Sequence, residues 1–82
     1  MIIKPLRSDL VKYLKKHNLS ARFEKARKLF EEDPFYPSLH VELLEPRHRL
    51  IYSFRLDRKY RALFIYTGDN EIEIIAFTNH YK

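Results

Sequence analysis

The first part of the chain carries apolar residues at the spacing of amphipathic helices. In residues 8–18 (SDLVKYLKKHN) and 20–32 (SARFEKARKLFEE), apolar side chains recur at helical spacing, which predicts two helices. Ser8 and Ser20 suit the N-cap positions, because a serine hydroxyl accepts a hydrogen bond from a free backbone amide. Asn18 tolerates the left-handed conformation that closes a helix. The connection between the two helices is very short, so they are predicted to form a hairpin.

The spacing of apolar positions changes after Pro34, where alternation with a period of two begins in parts. Four segments rich in β-branched and aromatic residues predict strands: residues 39–44, 50–56, 60–67 and 71–78. The polar segments 57–59 and 68–70 are long enough for hairpin turns, so the strands are predicted to form an antiparallel meander. Residues 1–3 are a candidate for one more edge strand, which Pro5 would end.

Together these elements predict one α+β domain that spans residues 1–82, with an N-terminal helical hairpin packed on a four-stranded antiparallel sheet. The apolar stripes of the helices must be buried against one face of the sheet. The other face is then free to hold a ligand. The sequence contains no internal repeat, no low-complexity segment and no sign of a second domain.

The composition argues against several classes of protein. The 82 residues include no cysteine, which excludes disulfides and thiolate zinc sites and suits a reducing cytoplasm. A single glycine argues against the glycine-rich phosphate loops of nucleotide-binding enzymes. The 4 histidines have no paired spacing, which argues against a histidine metal site. No apolar run approaches the roughly 20 residues of a membrane span, so no membrane association is expected.

The charge favours an anionic partner. The chain has 16 Lys and Arg residues against 11 Asp and Glu residues, which gives a net charge of +5 at pH 7. Such an excess on a small surface favours a polyanion or an acidic protein as partner. The alternative is a charge that serves solubility and has no specific partner.

Strand alternation places a set of chemically useful side chains on one face of the predicted sheet. Glu42, Arg55, Arg61 and His80 fall at positions of the less apolar face. A carboxylate, two guanidinium groups and an imidazole within one small meander could converge, although each is also an ordinary surface group in a generic small sheet. This set contains the groups that metal-free cleavage of RNA requires.

Each type of group has a physical role in that reaction. A base removes the proton of a ribose 2′-hydroxyl, which attacks the neighbouring phosphate, and an acid protonates the departing 5′-oxygen. Histidine suits either role because the ordinary pKa of imidazole lies near neutral pH. Arginine offsets the charge that grows on the phosphoryl oxygens, since its planar fork matches two of them. Tyrosine offers a flat surface on which an unstacked base can lie.

Two parts of the sequence carry a family resemblance. The segment DPFYPSL after a helical hairpin, followed by YSFRLDRKYRALF as a strand–turn–strand unit, resembles the RelE/ParE superfamily of bacterial toxin–antitoxin toxins. The resemblance extends over essentially the whole chain. The ending NHYK is similar to that of the YoeB-like mRNA endonucleases, which finish on a His-Tyr pair.

The resemblance implies a catalytic set in this sequence. Glu42 corresponds to the catalytic glutamate of the YoeB branch, Arg61 to its phosphate-binding arginine, and His80 and Tyr81 to its terminal pair. Glu42 would be the general base and His80 the general acid, two roles that these residues could share or exchange. Tyr81 would stack on the substrate base or orient it. Arg55 is expected to support the site, either as a structural residue or by binding RNA.

The resemblance also implies an activity and partners. A YoeB-like toxin is a ribosome-dependent mRNA endonuclease that inhibits translation in the prokaryotic cytoplasm, without a metal or other cofactor. The expected partners are the ribosome with its mRNA and an acidic antitoxin that wraps the basic surface. The basic side chains of the helices would then be solvated, or would contact the phosphates of ribosomal RNA: Lys15, Lys16, Lys25, Arg27 and Lys28.

The sequence departs from the lysine-rich active site of the RelE branch. Only Arg58 and Lys59, in a predicted turn, could take the place of those lysines as RNA-binding residues. His40 shares the parity of Glu42 and is predicted either to touch RNA or to be a solvated strand residue. His17 is expected to be a cation at a helix C-terminus.

Two other functions fit the same sequence framework. ParE-type members share the FRL…YR pattern and resemble DNA gyrase inhibitors, so the chain could inhibit gyrase with Arg55 and Arg61 as scaffold. It could also be an inactive binding module that keeps the toxin fold. Glu42, His80 and Tyr81 distinguish the nuclease hypothesis, because a gyrase inhibitor has no evident need for them.

Overall fold

The computed structural model of the protein describes residues 1–79, which form two helices and one sheet. The elements follow the order β1 (Ile2–Ile3), α1 (Ser8–Lys16), α2 (Ser20–Glu32), β2 (Glu42–Leu43), β3 (Tyr52–Arg55), β4 (Arg61–Gly68) and β5 (Glu71–Thr78). The sheet has five strands in the order β1-β5-β4-β3-β2. Within these residues, neither helix has the length and apolar character that crossing a membrane requires.

The sheet is mixed and not wholly antiparallel. Strands β2 to β5 form the predicted antiparallel meander. The candidate edge strand at the N-terminus does form, but it pairs parallel to β5, with Ile2 opposite Glu71. Its backbone hydrogen bonds run from Ile2 to Asn70 at 2.8 Å and from Lys4 to Ile72 at 2.9 Å. The sequence predicted this strand without a direction, since its partner is distant along the chain and no local turn sets how the two strands run.

The helical hairpin is present, but its predicted caps are not. Ser8 and Ser20 are the first helical residues, and the cap positions before them are held by Arg7 and Leu19 without any side-chain hydrogen bond. The prediction for Asn18 is confirmed, since its φ of 56° lies in the left-handed region. This conformation turns the chain between the helices, so that Leu19 is buried directly after the turn.

The first predicted strand is much shorter than residues 39–44. The structure has a 3-10 turn at Pro37–Leu39 and then a strand of only two residues, Glu42–Leu43. Leu39 is buried at the end of this turn, and His40 follows in the left-handed conformation with φ 45°. The alternation of apolar and polar residues therefore predicted a strand at Leu39 and His40, where the structure has a buried leucine followed by a turn.

The core lies between the helices and one face of the sheet, as predicted. Three aromatic rings from three elements form its centre: Phe30 of α2 packs on Phe54 of β3 and on Phe64 of β4, each at a centroid distance of 5.2 Å. All three side chains are fully buried. This arrangement fixes the position of α2 over β3 and β4, and it leaves the opposite face of those strands uncovered by the helices.

A bulge in β5 decides which side chains reach that open face. The register passes from Phe64 opposite Ile74 to Leu63 opposite Ala76, so Ile75 is the extra residue. Beyond the bulge, Phe77 is buried and Thr78 lies opposite Arg61. Thr78 therefore lies on the same face as Arg61, and this placement depends on the bulge.

Candidate functional site

Arg61, the first residue of β4, is held on the open face by hydrogen bonds to Ser53 and His40. Its Nε donates to the Oγ of Ser53 at 2.8 Å, and its Nη2 donates to the backbone carbonyl of His40. The Arg61 side chain is only 20% exposed. Because both bonds fix the same planar group, the guanidinium is presented to the open face in one orientation.

The carbonyl of His40 reaches Arg61 because the backbone is left-handed at His40, with φ 45° and ψ 54°. Leu39, the preceding residue, is anchored in the core, which forces the reversal at this position. Histidine visits this region more easily than β-branched residues do. The buried leucine therefore positions a backbone acceptor for the arginine.

Glu42 places a carboxylate beside the same guanidinium. In the sheet register, Glu42 lies opposite Ser53, which is the residue that binds Arg61. The Oε1 atom of Glu42 is 3.7 Å from Nη2 of Arg61, and its side chain is 61% exposed. At this distance the two groups form an ion pair without a short hydrogen bond. The carboxylate is thus close to the arginine and open to an incoming molecule.

Arg55 lies directly opposite Arg61 on the neighbouring strand. Its Nε donates to the backbone carbonyl of Asp57 at 3.2 Å, which ties it to the turn that follows. Two cations in this position repel each other. Burial lowers the pKa of Arg61, Glu42 opposes this effect, and Arg55 adds to it. The pair is consistent with a site that binds an anion, because an anion between the two groups would remove their repulsion.

The turn between β3 and β4 is organised by Asp57. Its Oδ1 accepts hydrogen bonds from the backbone amides of Lys59 and Tyr60, both at 2.8 Å. Its Oδ2 lies 3.5 Å from Nε of Arg22 on α2. Burial raises the pKa of Asp57, but the two amide hydrogen bonds and the charges of Arg22 and Arg55 outweigh burial and lower it below its ordinary value.

These groups surround a small cleft of about 150 Å³, which we call the arginine cleft. It is lined by His40, Glu42, Arg55, Asp57, Arg58 and Arg61. The structure thus brings together five of the eight residues that the sequence analysis singled out. Lys59 is outside the cleft, and its Nζ lies 6.0 Å from the centre of the Tyr60 ring.

The remaining two predicted residues, His80 and Tyr81, lie outside the described residues. Strand β5 is described as far as Thr78, which pairs with Arg61. The convergence of His80 with Glu42 and Arg61 therefore stays a prediction.

Two residues of this site were not predicted from the sequence. Ser53 is buried and supplies the acceptor for Arg61. A small polar residue inside the apolar run LIYSFRL was the available signal. Asp57 was assigned only to a turn, although its position directly after an arginine-bearing strand places its carboxylate at the cleft. In residues 1–79, no group of three or more His, Cys, Asp or Glu side chains is arranged to hold a metal ion.

Comparisons with known proteins agree with this architecture. No protein-family model matches the chain, and no curated protein matches it. Among solved structures, the chain is similar to a YoeB/ParE toxin from Agrobacterium tumefaciens, with a TM-score of 0.70 over 98% of this chain and 96% of that chain. The chain has the fold of this YoeB/ParE toxin. The sequence identity is 16%, so this likeness establishes the fold alone.

Proposed function

We propose that the protein is the toxin of a type II toxin–antitoxin system and acts as a metal-independent mRNA endonuclease that inhibits translation. One observation carries this proposal: the Arg61 guanidinium, fixed by hydrogen bonds to Ser53 and His40, lies opposite a second arginine and 3.7 Å from an exposed carboxylate. A phosphodiester offers the anion that this arrangement favours, and its ribose offers the proton that a carboxylate can remove.

In the proposed reaction, the scissile phosphate binds to Arg61, with Arg55 across from it. The carboxylate of Glu42 removes the proton of the ribose 2′-hydroxyl. The 2′-oxygen then forms a bond to phosphorus, and the bond between phosphorus and the 5′-oxygen breaks. The departing 5′-oxygen takes a proton from a general acid. The products are a 2′,3′-cyclic phosphate and a free 5′-hydroxyl.

His80 is the proposed general acid, and Tyr81 is the proposed partner of the substrate base. Both assignments rest on the similarity of the NHYK ending to YoeB-like endonucleases. An imidazole is suited to donate a proton near neutral pH and to recover it afterwards. The proposed RNA contacts of His40 and Arg58 are supported by their place in the wall of the arginine cleft. Lys59 would contact RNA from the rim of the turn.

The proposed partners follow from the net charge of +5 and the toxin fold. An acidic antitoxin would neutralise the basic surface, and the ribosome would present the mRNA in the cytoplasm. The basic residues of the helices do not all remain available for such contacts. Arg27 is paired with Glu24 and with Glu31 at 2.9 Å. Lys15, Lys16 and Lys28 are exposed.

The test is primer extension on an mRNA in a reconstituted translation mixture. We expect new 5′ ends with the protein, and we expect them to require ribosomes. Glu42→Gln and His80→Ala should each lower cleavage about a hundredfold or more, because each removes a proton-transfer group. Glu45→Gln is the matched control: it removes a carboxylate only three residues away that is bonded to Arg47 and does not line the cleft.

Three results would contradict this proposal in different ways. Full cleavage by the Glu42 variant would remove that residue from the mechanism. An intact message together with inhibited DNA supercoiling would identify a gyrase inhibitor, and His80 would then be dispensable for toxicity. An intact message with no growth arrest and retained antitoxin binding would identify an inactive binding module.

A further inference from the structure

A second depression lies beside the arginine cleft, between α2 and the 3-10 turn at Pro37–Leu39. Its volume is about 390 Å³, within the size range of small-ligand sites. We call it the α2 groove. It shares two of its lining residues, His40 and Arg55, with the arginine cleft. A molecule bound in the arginine cleft can therefore extend into the α2 groove without leaving the protein surface.

The groove has an apolar floor. Ala26 and Leu29 come from α2, while Leu39 and Leu56 come from the other side. Ala26 and Leu39 are buried, and the two remaining leucines are half-buried. Such a surface suits the flat face of a nucleobase, which gains from leaving water.

The rim of the groove is cationic. It carries Arg22, Lys25 and Arg55, and no aspartate or glutamate lines the groove. Arg22 is 56% exposed and lies 3.5 Å from Asp57, so one ion pair holds it at the rim without covering it. Lys25 is exposed, and it forms no ion pair with any of the described residues. This charge is complementary to a phosphate.

We propose that the α2 groove is a second nucleotide-binding subsite, which takes the nucleotide next to the scissile phosphate. The base would lie on the leucine floor, and the phosphate would bind Arg22 and Lys25. The inference deepens the proposed function and rests on it for the choice of RNA. The apolar floor joined to a cationic rim, and the continuity with the arginine cleft, favour this occupant over an acidic peptide.

The experiment measures binding and not cleavage. Fluorescently labelled di- and trinucleotides with 2′-O-methyl groups cannot be cut, because the attacking hydroxyl is blocked. We expect the trinucleotide to bind the full chain more tightly than the dinucleotide. Lys25→Ala should remove the tighter binding of the trinucleotide. It should also reduce the slope of the logarithm of its binding constant against the logarithm of salt concentration by about 0.7, the value for one phosphate contact on a single strand.

Lys12→Ala is the matched control, because it removes the same charge from an exposed position on α1 that does not line the groove. It should leave both the gain and the salt slope unchanged. Equal binding of the two oligonucleotides, or equal effects of the two lysine variants, would overturn the inference even if the protein cuts mRNA.

Two further outcomes separate this inference from the proposed function. If the trinucleotide gain depends on Lys25 but mRNA stays intact in the translation assay, the nuclease proposal fails and the nucleotide subsite stands. If Lys25→Ala weakens the binding of an acidic hexapeptide and leaves trinucleotide binding unchanged, the groove belongs to a protein partner and the inference is wrong.

Discussion

At the scale of single residues, the orientation of Arg61 depends on a buried hydroxyl. Ser53 is only 1% exposed and is the buried polar side chain among the described residues. Its Oγ accepts the Nε–H of a half-buried cation. A buried hydrogen bond to a charged group is worth more than a neutral one, because the cation would otherwise lose its solvent without compensation.

We therefore predict that Ser53→Ala lowers kcat/KM for RNA cleavage by about tenfold to a hundredfold. This corresponds to the loss of roughly 1.5–3 kcal/mol from a charged hydrogen bond. The assay is cleavage well below the midpoint of thermal unfolding, so that reduced stability does not interfere. Thr67→Ala is the control, since its hydroxyl bonds Glu71 at 2.8 Å on an exposed part of β4. Equal activity of the serine variant and the parent would show that Ser53 does not position the arginine.

At the scale of elements, the site depends on how neighbouring strands are joined. The short turn between β3 and β4 sets Arg55 opposite Arg61, so the hairpin itself creates the cationic pair. Asp57 holds this turn through two backbone amides and through Arg22 of α2. The same carboxylate thereby links the turn to the helical layer and to both depressions.

The lowered pKa of Asp57 predicts a pH dependence of stability. Because its folded-state pKa lies below the unfolded value, the carboxylate stabilises the fold above the unfolded pKa, and this contribution is lost as the pH falls through the folded one. Asp57→Asn should therefore lower the free energy of unfolding near neutral pH. Below the ordinary aspartate pKa of 3.8, the free energy of unfolding of the variant should fall less steeply with decreasing pH than that of the parent. Urea unfolding across this pH range measures the effect.

Asp69→Asn provides the comparison, because it changes the same charge in the exposed turn between β4 and β5. The free energy of unfolding of this variant should depend on acidic pH in the same way as that of the parent. If the free energy of unfolding of the Asp57 variant fell with pH as steeply as that of the parent, the protonation of this carboxylate would not contribute to acid unfolding.

At the scale of the whole molecule, a small core must support a site with mutually repelling charges. At about 0.05–0.15 kcal/mol per residue, a chain of 82 residues has a stability of roughly 4–12 kcal/mol. Phe30 lies at the centre of the aromatic cluster and contacts both Phe54 and Phe64. Removing a buried phenylalanine ring costs about 3–5 kcal/mol, which is a large part of this total.

We predict that Phe30→Ala leaves the protein largely unfolded or strongly lowers its melting temperature. Thermal unfolding followed by circular dichroism measures this directly. The control is Phe35→Ala, because the Phe35 side chain is 81% exposed and its removal creates no cavity. A melting temperature within a few degrees of the parent for the Phe30 variant would contradict the packing described here.

Much of the fold and part of the site could be predicted from local sequence. The helical hairpin, the four-stranded meander and the edge strand follow from periodicity, and the short turn after β3 determines that Arg55 meets Arg61. The caps failed because Ser8 and Ser20 begin the helical hydrogen bonding and do not precede it. Ser53 was missed because a hydroxyl in an apolar strand does not reveal its partner without the neighbouring strand.

The sequence by itself determined the two helices, the antiparallel meander and the positions of Glu42 and Arg61 on its polar face. Only the tertiary structure decided how those residues are held. The burial of Leu39 turns His40 into the left-handed region and aims its carbonyl at Arg61. The bulge in β5 returns Thr78 to the side of Arg61, and the pairing of the two chain ends makes β1 parallel. These features depend on contacts between distant segments, whereas periodicity and turn length act between neighbours.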